Sequence, residues 1–179
     1  MMSMKIVFFA ILLVLTHSAF AKTEVRFTPS TECEDVIVSN IDKAQKSVDA
    51  AIYSINNRRI VRALKKAHRR GIKLRILTDR LQASTKSSKT LDLYREGINI
   101  RVNSRHKIEH NKFAIFDGNK VSTGSFNWTN PASEKNSENC LLISREQKTV
   151  AAYKKRFEEL WRLNNKAKSE SWFERKERQ

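Results

Sequence analysis

The sequence predicts an α/β protein: one domain with a mixed, largely parallel central sheet flanked by helices on both faces. Three observations lead there. Between residues 24 and 102, stretches of strand-like alternation are separated by stretches of helical periodicity. That makes three strand–helix–strand steps in a row, the pattern of parallel neighbours joined by crossover helices. From about Lys107 the pattern shortens to three brief strands and one long amphipathic helix. No repeat or linker divides the 179 residues, a length that suits one domain with a sizeable core.

Each element has its own warrant. Residues 24–28 alternate weakly and end at Pro29, a short strand. Ser30 or Thr31 can cap a helix whose first turn holds Glu32, Glu34 and Asp35, where the helix dipole favours acids. Val36, Ile37, Ile41 and Ala44 give that helix its apolar spacing. Residues 47–55 read as a strand with one buried face. Asn56 or Asn57 caps the next helix, Ile60, Val61, Leu64 and Ala67 form its stripe, and Gly71 stops it. Residues 72–78 alternate as a strand, 84–96 read as a helix ending at Gly97, and 98–102 as a strand. Short strands follow over 112–116, 120–123 and 139–143, the first two joined by a tight turn at Gly118-Asn119. The helix over 146–163 points Val150, Tyr153, Phe157, Leu160 and Trp161 inward. Residues 164–179 form a charged tail, mobile or helical, with Trp172-Phe173 as its one apolar pair.

The front of the chain reads as a secretory signal over 1–21. Lys5 gives it a positive start, residues 6–15 are unbroken apolar sequence, and Ala19-Phe20-Ala21 is a small-x-small cleavage site. Ten apolar residues are too few to cross a bilayer, which needs about twenty. The expectation is export to the periplasm or beyond, with a domain over 22–163 and the tail over 164–179. Export permits disulfides. Cys33 and Cys140 are far apart in sequence, so one bridge and two buried thiols both remain open. No CxxC or Cys/His cluster suggests zinc.

The chain carries 35 Lys and Arg against 19 Asp and Glu, a net charge of +16, with four Gly and two Pro. That composition excludes collagen, a Pro/Gly-rich disordered chain and a polytopic membrane protein. It favours a polyanionic partner, either nucleic acid or an anionic membrane surface. Nine Lys and Arg fall within residues 58–75 without one acid. Arg58, Arg62, Lys65 and Arg69 share one helical stripe, which suits tracking a phosphate backbone. It suits an anionic phospholipid surface nearly as well.

The chemistry concentrates in His110-Asn111-Lys112, then Asp117, then Gly124-Ser125-Phe126-Asn127. On a strand, residues i and i+2 face the same way, so His110 projects with Lys112 and Ser125 with Asn127. An imidazole, an ammonium, a hydroxyl and an amide gathered in one place are what a phosphodiester requires: a nucleophile and fixed donors for the phosphoryl oxygens. Asp117 sits at an odd offset from His110 and is expected on the opposite face in a structural role.

This set, HxK with an Asp and then GSxN, resembles the signature of the phospholipase D superfamily. It is most similar to the small single-motif branch of bacterial periplasmic and secreted endonucleases, together with phospholipase D-like proteins of intracellular bacteria and the mitochondrial cardiolipin hydrolase. The likeness spans about Val25 to Trp161 and includes Asn136-Ser137-Glu138-Asn139. It implies a phospholipase D-like fold and a covalent mechanism without metal or cofactor. His110 would attack phosphorus. Lys112, Ser125 and Asn127 would hold the phosphoryl oxygens. Glu138 would orient the histidine. A second histidine must serve as acid and base, yet neither His68 nor His106 stands in such a motif, and His17 lies in the signal. The resemblance therefore implies a homodimer with the site shared at its two-fold axis.

The leading expectation is an exported phosphodiesterase acting on DNA or RNA without sequence preference. The rival enzyme is a phospholipase D cleaving phospholipid headgroups. A third reading is a non-catalytic cationic protein that binds nucleic acid or membrane. A lipid enzyme should expose apolar residues near its cleft, and the few candidates are Trp128, Trp172 and Phe173.

Overall fold

The first strand begins immediately after the expected cleavage point. The computed structural model describes residues 21–178, so the stretch expected as a signal sequence, apart from Ala21, lies outside the described residues. The elements run β1 (Lys22–Phe27), α1 (Glu32–Lys43), β2 (Ser47–Ile52), α2 (Arg58–Arg69), β3 (Lys73–Thr78), α3 (Arg80–Ala83), α4 (Thr90–Arg95) and β4 (Asn99–Val102). Then follow β5 (Lys112–Phe116), β6 (Lys120–Gly124), α5 (Asn130–Glu134), β7 (Asn139–Ser144), α6 (Gln147–Leu163) and α7 (Lys166–Glu177).

The strands form one sheet in the order β1-β7-β6-β5-β2-β3-β4. The α/β class holds, but parallel pairing is the minority. Only β2–β3 and β3–β4 are parallel, while β1–β7, β7–β6, β6–β5 and β5–β2 are antiparallel. The helical crossovers that force parallel neighbours stop at β4, and the later strands return directly alongside one another. Helix α6 covers one face, where Phe157 and Leu160 pack on Ala51, Leu77, Phe113, Ile115 and Val121. Helices α1, α2 and α4 cover the other through Ile37, Ile41, Ile60, Leu64 and Leu93.

Local chemistry sets the boundaries. Asn57 caps α2 by accepting from the N–H groups of Arg59 and Ile60. Of the helix expected over 84–96 only α4, 90–95, is helical, and a separate short helix, α3, precedes that range because Asp79 caps a start at Arg80. Ser84 and Thr85 then turn their hydroxyls onto the carbonyls of Arg80 and Gln82, competing with helix continuation. The β5–β6 turn centres on Asp117-Gly118, both at positive φ, rather than on Gly118-Asn119. Residues 164–179, expected as a tail, contain α7. Phe173 of this helix is fully buried and stacks on Tyr94 with ring centroids 3.9 Å apart.

Cys33 and Cys140 form a disulfide with Cα atoms 5.8 Å apart, closing the alternative of two free thiols. It ties the first turn of α1 to the second residue of β7.

Candidate active site

The register brings the carboxyl ends of β1, β2 and β6 and the amino ends of β5 and β7 to one end of the sheet. The last residue of β2, Ile52, faces the first of β5, Lys112. The last residue of β6, Gly124, faces Cys140 near the start of β7, and Phe27 at the end of β1 faces Asn139. The segments holding His110, Ser125, Asn127 and Glu138 all leave the sheet here.

His110 is exposed, and both of its neighbours are fixed. Glu109 is buried, its N–H donates to Asp79 Oδ2, and its carboxylate accepts from the backbone and side-chain N–H of Asn111. The Asn111 carbonyl accepts from Tyr53 N–H, continuing the β2–β5 ladder past its last paired residue. The imidazole rests against the Tyr53 ring, centroids 4.5 Å apart. Lys112 Nζ donates to the His110 carbonyl at 2.6 Å and lies 4.9 Å from the centroid of the same ring. Burial lowers the Lys112 pKa, against the attraction of Glu138 and Glu109. Tyr53 is held in turn by Gln82, whose amide donates to its hydroxyl at 3.0 Å.

Across from them, Phe126 and Trp128 are buried and anchor the segment after β6, while Ser125 and Asn127 alternate outward. Gly124 has a φ of 146°, and a Cβ there would run into the Asn139 carbonyl, so only glycine lets this segment cross β7. That carbonyl accepts from the N–H groups of both Ser125 and Phe126. Ser125 Oγ donates to Glu138 Oε2 at 2.5 Å, and Asn136 Nδ2 donates to Oε1 at 3.0 Å. The Oδ1 atom of Asn127 is buried with no hydrogen-bond partner, an unmet acceptor in the middle of the set.

The structure therefore gathers Ser125 with Glu138, and His110 with Lys112. Glu138 is engaged by Ser125 and Asn136 rather than by the His110 ring. Asp117 lies at the other end of the hairpin. Its carboxylate accepts from the N–H groups of Gln45, Lys46 and Ser47. Burial opposes its ionisation, but those three donors outweigh burial and hold its pKa below the ordinary aspartate value. Tyr53 escaped the sequence reading. Its one signal was position: it directly follows the carboxyl end of β2, where open α/β sheets gather ligand-binding groups.

The basic stripe differs from its sequence reading. Acids from other elements reach α2: Glu96 pairs with Lys65 and Arg69, Asp42 with Lys66, and Glu34 and Asp35 with Arg59. Lys65 and Arg69 are thus compensated, and of the four stripe residues only Arg58 and Arg62 meet no carboxylate among the described residues. The apolar candidates change as well. Trp128, Trp172 and Phe173 are all buried, whereas Leu81 and Ile108, near the His110 loop, are 63% and 45% exposed. Among the described residues no three His, Cys, Asp or Glu side chains gather as a metal-binding group.

Comparison with known proteins agrees with this geometry. Residues 37–161 match the family model described as cardiolipin synthase, PLD-like domain. The phospholipase D of Rickettsia conorii is 39% identical over 127 residues, covering 71% of this chain and 64% of that protein. The mitochondrial cardiolipin hydrolase of Xenopus laevis is 36% identical over 118 residues, covering 66% of this chain and 56% of that protein. The chain thus matches somewhat under two thirds of the length of these relatives. Among solved structures, Nuc of Salmonella typhimurium, a phospholipase D family member, superposes with a TM-score of 0.77 at 29% identity, covering 82% of this chain and 97% of that one. With the matched region taking in most of the chain, and His110, Lys112, Ser125, Asn127 and Glu138 brought to one end of the sheet, the chain belongs to the phospholipase D superfamily.

Proposed function

We propose that this protein is an exported phosphodiesterase that hydrolyses DNA or RNA through a phosphohistidine, at a site completed by a second copy of the chain. One observation carries the reading: an exposed imidazole, packed on Tyr53 beside a partly desolvated ammonium, shares its end of the sheet with the Asn127 side-chain amide, whose Nδ2 group can donate, and a serine bonded to a carboxylate. A ring nitrogen of His110 attacks phosphorus as the P–O bond to the leaving group breaks. His110 of the second copy gives the leaving oxygen a proton. Water then attacks the phosphohistidine and yields its proton to that same histidine, which restores both rings. Lys112 and Asn127 face the phosphoryl oxygens and stabilise charge that grows in the transition state. Glu138 receives the ring N–H when the second copy closes the site.

Nucleic acid is favoured as substrate by the charge of +16 and by the uncompensated Arg58 and Arg62. Phospholipid is the second reading, favoured by Leu81 and Ile108, which stand exposed close to His110. The disulfide supports export, since such bonds persist in oxidising compartments. Exposed Phe27 and Ile108, at the same end of the sheet, offer apolar contact to a second copy.

The test offers purified protein plasmid DNA, RNA and vesicles of phosphatidylcholine or cardiolipin side by side, with His110→Asn as control and excess EDTA in a parallel set. Cleavage of nucleic acid that survives EDTA and vanishes in His110→Asn is the expected result. Headgroup release without nucleic-acid cleavage would transfer the assignment to the second reading. Loss of activity on chelation would overturn the mechanism.

A further inference from the structure

Four cations that meet no carboxylate among the described residues line neighbouring pockets away from the helix that the sequence picked out. Helix α7 lies beyond the residues matched by the family model, which end at Trp161. It packs along β4, with Ser169 Oγ accepting from Val102 N–H. Its charges are sorted by face. Glu170, Glu174 and Glu177 pair with Lys166, Arg178 and Arg95. Lys168, Ser171 and Arg175, spaced i, i+3 and i+7, face a groove of about 490 Å³ whose far wall is Arg80 and Ser104. Arg175 already donates to Ser171 Oγ at 2.7 Å, which aims its guanidinium along the groove.

The groove continues. Arg80 and Ser104 also line a smaller pocket of about 100 Å³ with His106 and Lys107. Lys107 is three residues before His110 in sequence, so the smaller pocket borders the connection that runs on to His110. The one carboxylate in that pocket, Asp79, is fully used by the N–H groups of Leu81, Gln82 and Glu109. Among the described residues Arg80, Lys107, Lys168 and Arg175 meet no carboxylate. In contrast, Lys65 and Arg69 on α2 are paired.

We infer that this cleft, between α7, α3 and the β4–β5 connection, binds the phosphate backbone of a nucleic-acid strand as it leaves the catalytic site. The inference rests on the nucleic-acid reading above. A bilayer is planar and would touch only the rims of a cleft, whereas a strand can follow its floor. From Ala167 to Arg175 the helix runs about 12 Å at 1.5 Å per residue. At about 3.4 Å of axial rise per phosphate in a stacked strand, that length corresponds to roughly three such rises. The ligand class is therefore a polyanionic chain several phosphates long, held without base reading by two guanidiniums, two ammoniums and two hydroxyls.

The test measures binding of a labelled single-stranded oligonucleotide to His110→Asn protein across a salt series. A second protein adds Arg80→Gln, Lys168→Gln and Arg175→Gln. A third keeps the charges as Arg80→Lys, Lys168→Arg and Arg175→Lys. The expected result is a salt slope shallower by about 2 in the Gln protein, from roughly 0.7 per lost phosphate contact, with the charge-keeping protein close to the parent. An unchanged slope in the Gln protein, while the parent binds the strand, would overturn the cleft and leave the nucleic-acid reading standing. A parent that binds cardiolipin vesicles but no strand would overturn the nucleic-acid reading and this inference with it. If the charge-keeping protein loses as much as the Gln protein, the residues serve the fold, and the inference falls.

Discussion

At the scale of single residues, the proposed mechanism rests on groups that neighbouring bonds hold in place. His110→Asn should abolish turnover without unfolding the chain. Lys112→Ala and Asn127→Ala should each cost roughly a hundredfold in kcat, the scale for removing a transition-state donor. A Lys112→Ala protein with near-normal kcat would remove this lysine from the mechanism. Asp117 belongs to the fold, and its effect appears against pH. Its folded pKa lies below the unfolded value, so the stability it contributes is present above about pH 4 and is lost as pH falls through the folded pKa. Asp117→Asn should therefore melt lower than the parent at pH 7, and the gap should close on acidification. A gap that widens in acid would contradict the three-donor account. The candidate set was legible in the sequence because its spacing is local, with His110 and Lys112, and Ser125 and Asn127, two residues apart on each segment. Tyr53 and Gln82 were not, because their link to His110 exists only once β2, β5 and the start of α3 are packed together.

Among the elements, strands and long helices followed their periodicity, and connections did not. The two short helices at Arg80–Ala83 and Thr90–Arg95 turned on side-chain bonds that compete with a longer helix, which a periodic reading does not weigh. The balance of α2 could not be read from its own residues, since the acids that neutralise it come from α1 and from the end of α4. The disulfide joins α1 to β7 across 107 residues of sequence, two positions from Glu138. For a loop this long the chain-entropy account gives about 5 kcal/mol, and such bonds typically stabilise by about 2–4 kcal/mol. Replacing Cys33 and Cys140 with Ala should then lower Tm by roughly 5–15 °C. Because Glu138 directly precedes β7, kcat should fall at temperatures where the variant remains folded. A variant with unchanged Tm would show that the bond adds nothing to the fold.

For the molecule as a whole, the proposed mechanism gives each chain one catalytic histidine, which sets a stoichiometric test. Equal amounts of wild-type and His110→Asn chains, unfolded without reductant and refolded together, should pair at random. About a quarter of the dimers would then be wild-type on both sides. Activity should settle near that fraction of a wholly wild-type sample, since a mixed pair lacks either the nucleophile or the acid. Retention of about half would mean that each chain works alone, and the shared site would be discarded.

The two margins of the sheet are protected by different means. Along β1 the margin is a row of charge, Lys22 and Arg26 each paired with Glu24, which discourages a stray strand from joining. Along β4 the protection is physical cover, because α7 lies over the strand and Ser169 takes up the Val102 N–H. β4 itself, Asn-Ile-Arg-Val, has one charge to repel a visitor. A chain ending at residue 164 would present that strand bare, together with the surface that Phe173 leaves on Tyr94. Such a protein should self-associate and lose solubility within hours at concentrations where the full chain stays clear by light scattering. Lys or Pro placed at Asn99 in the shortened chain should restore clarity. The last helix would then have two duties, guarding an open strand and offering a cationic wall, and only the second would be lost in the Arg80, Lys168 and Arg175 substitutions.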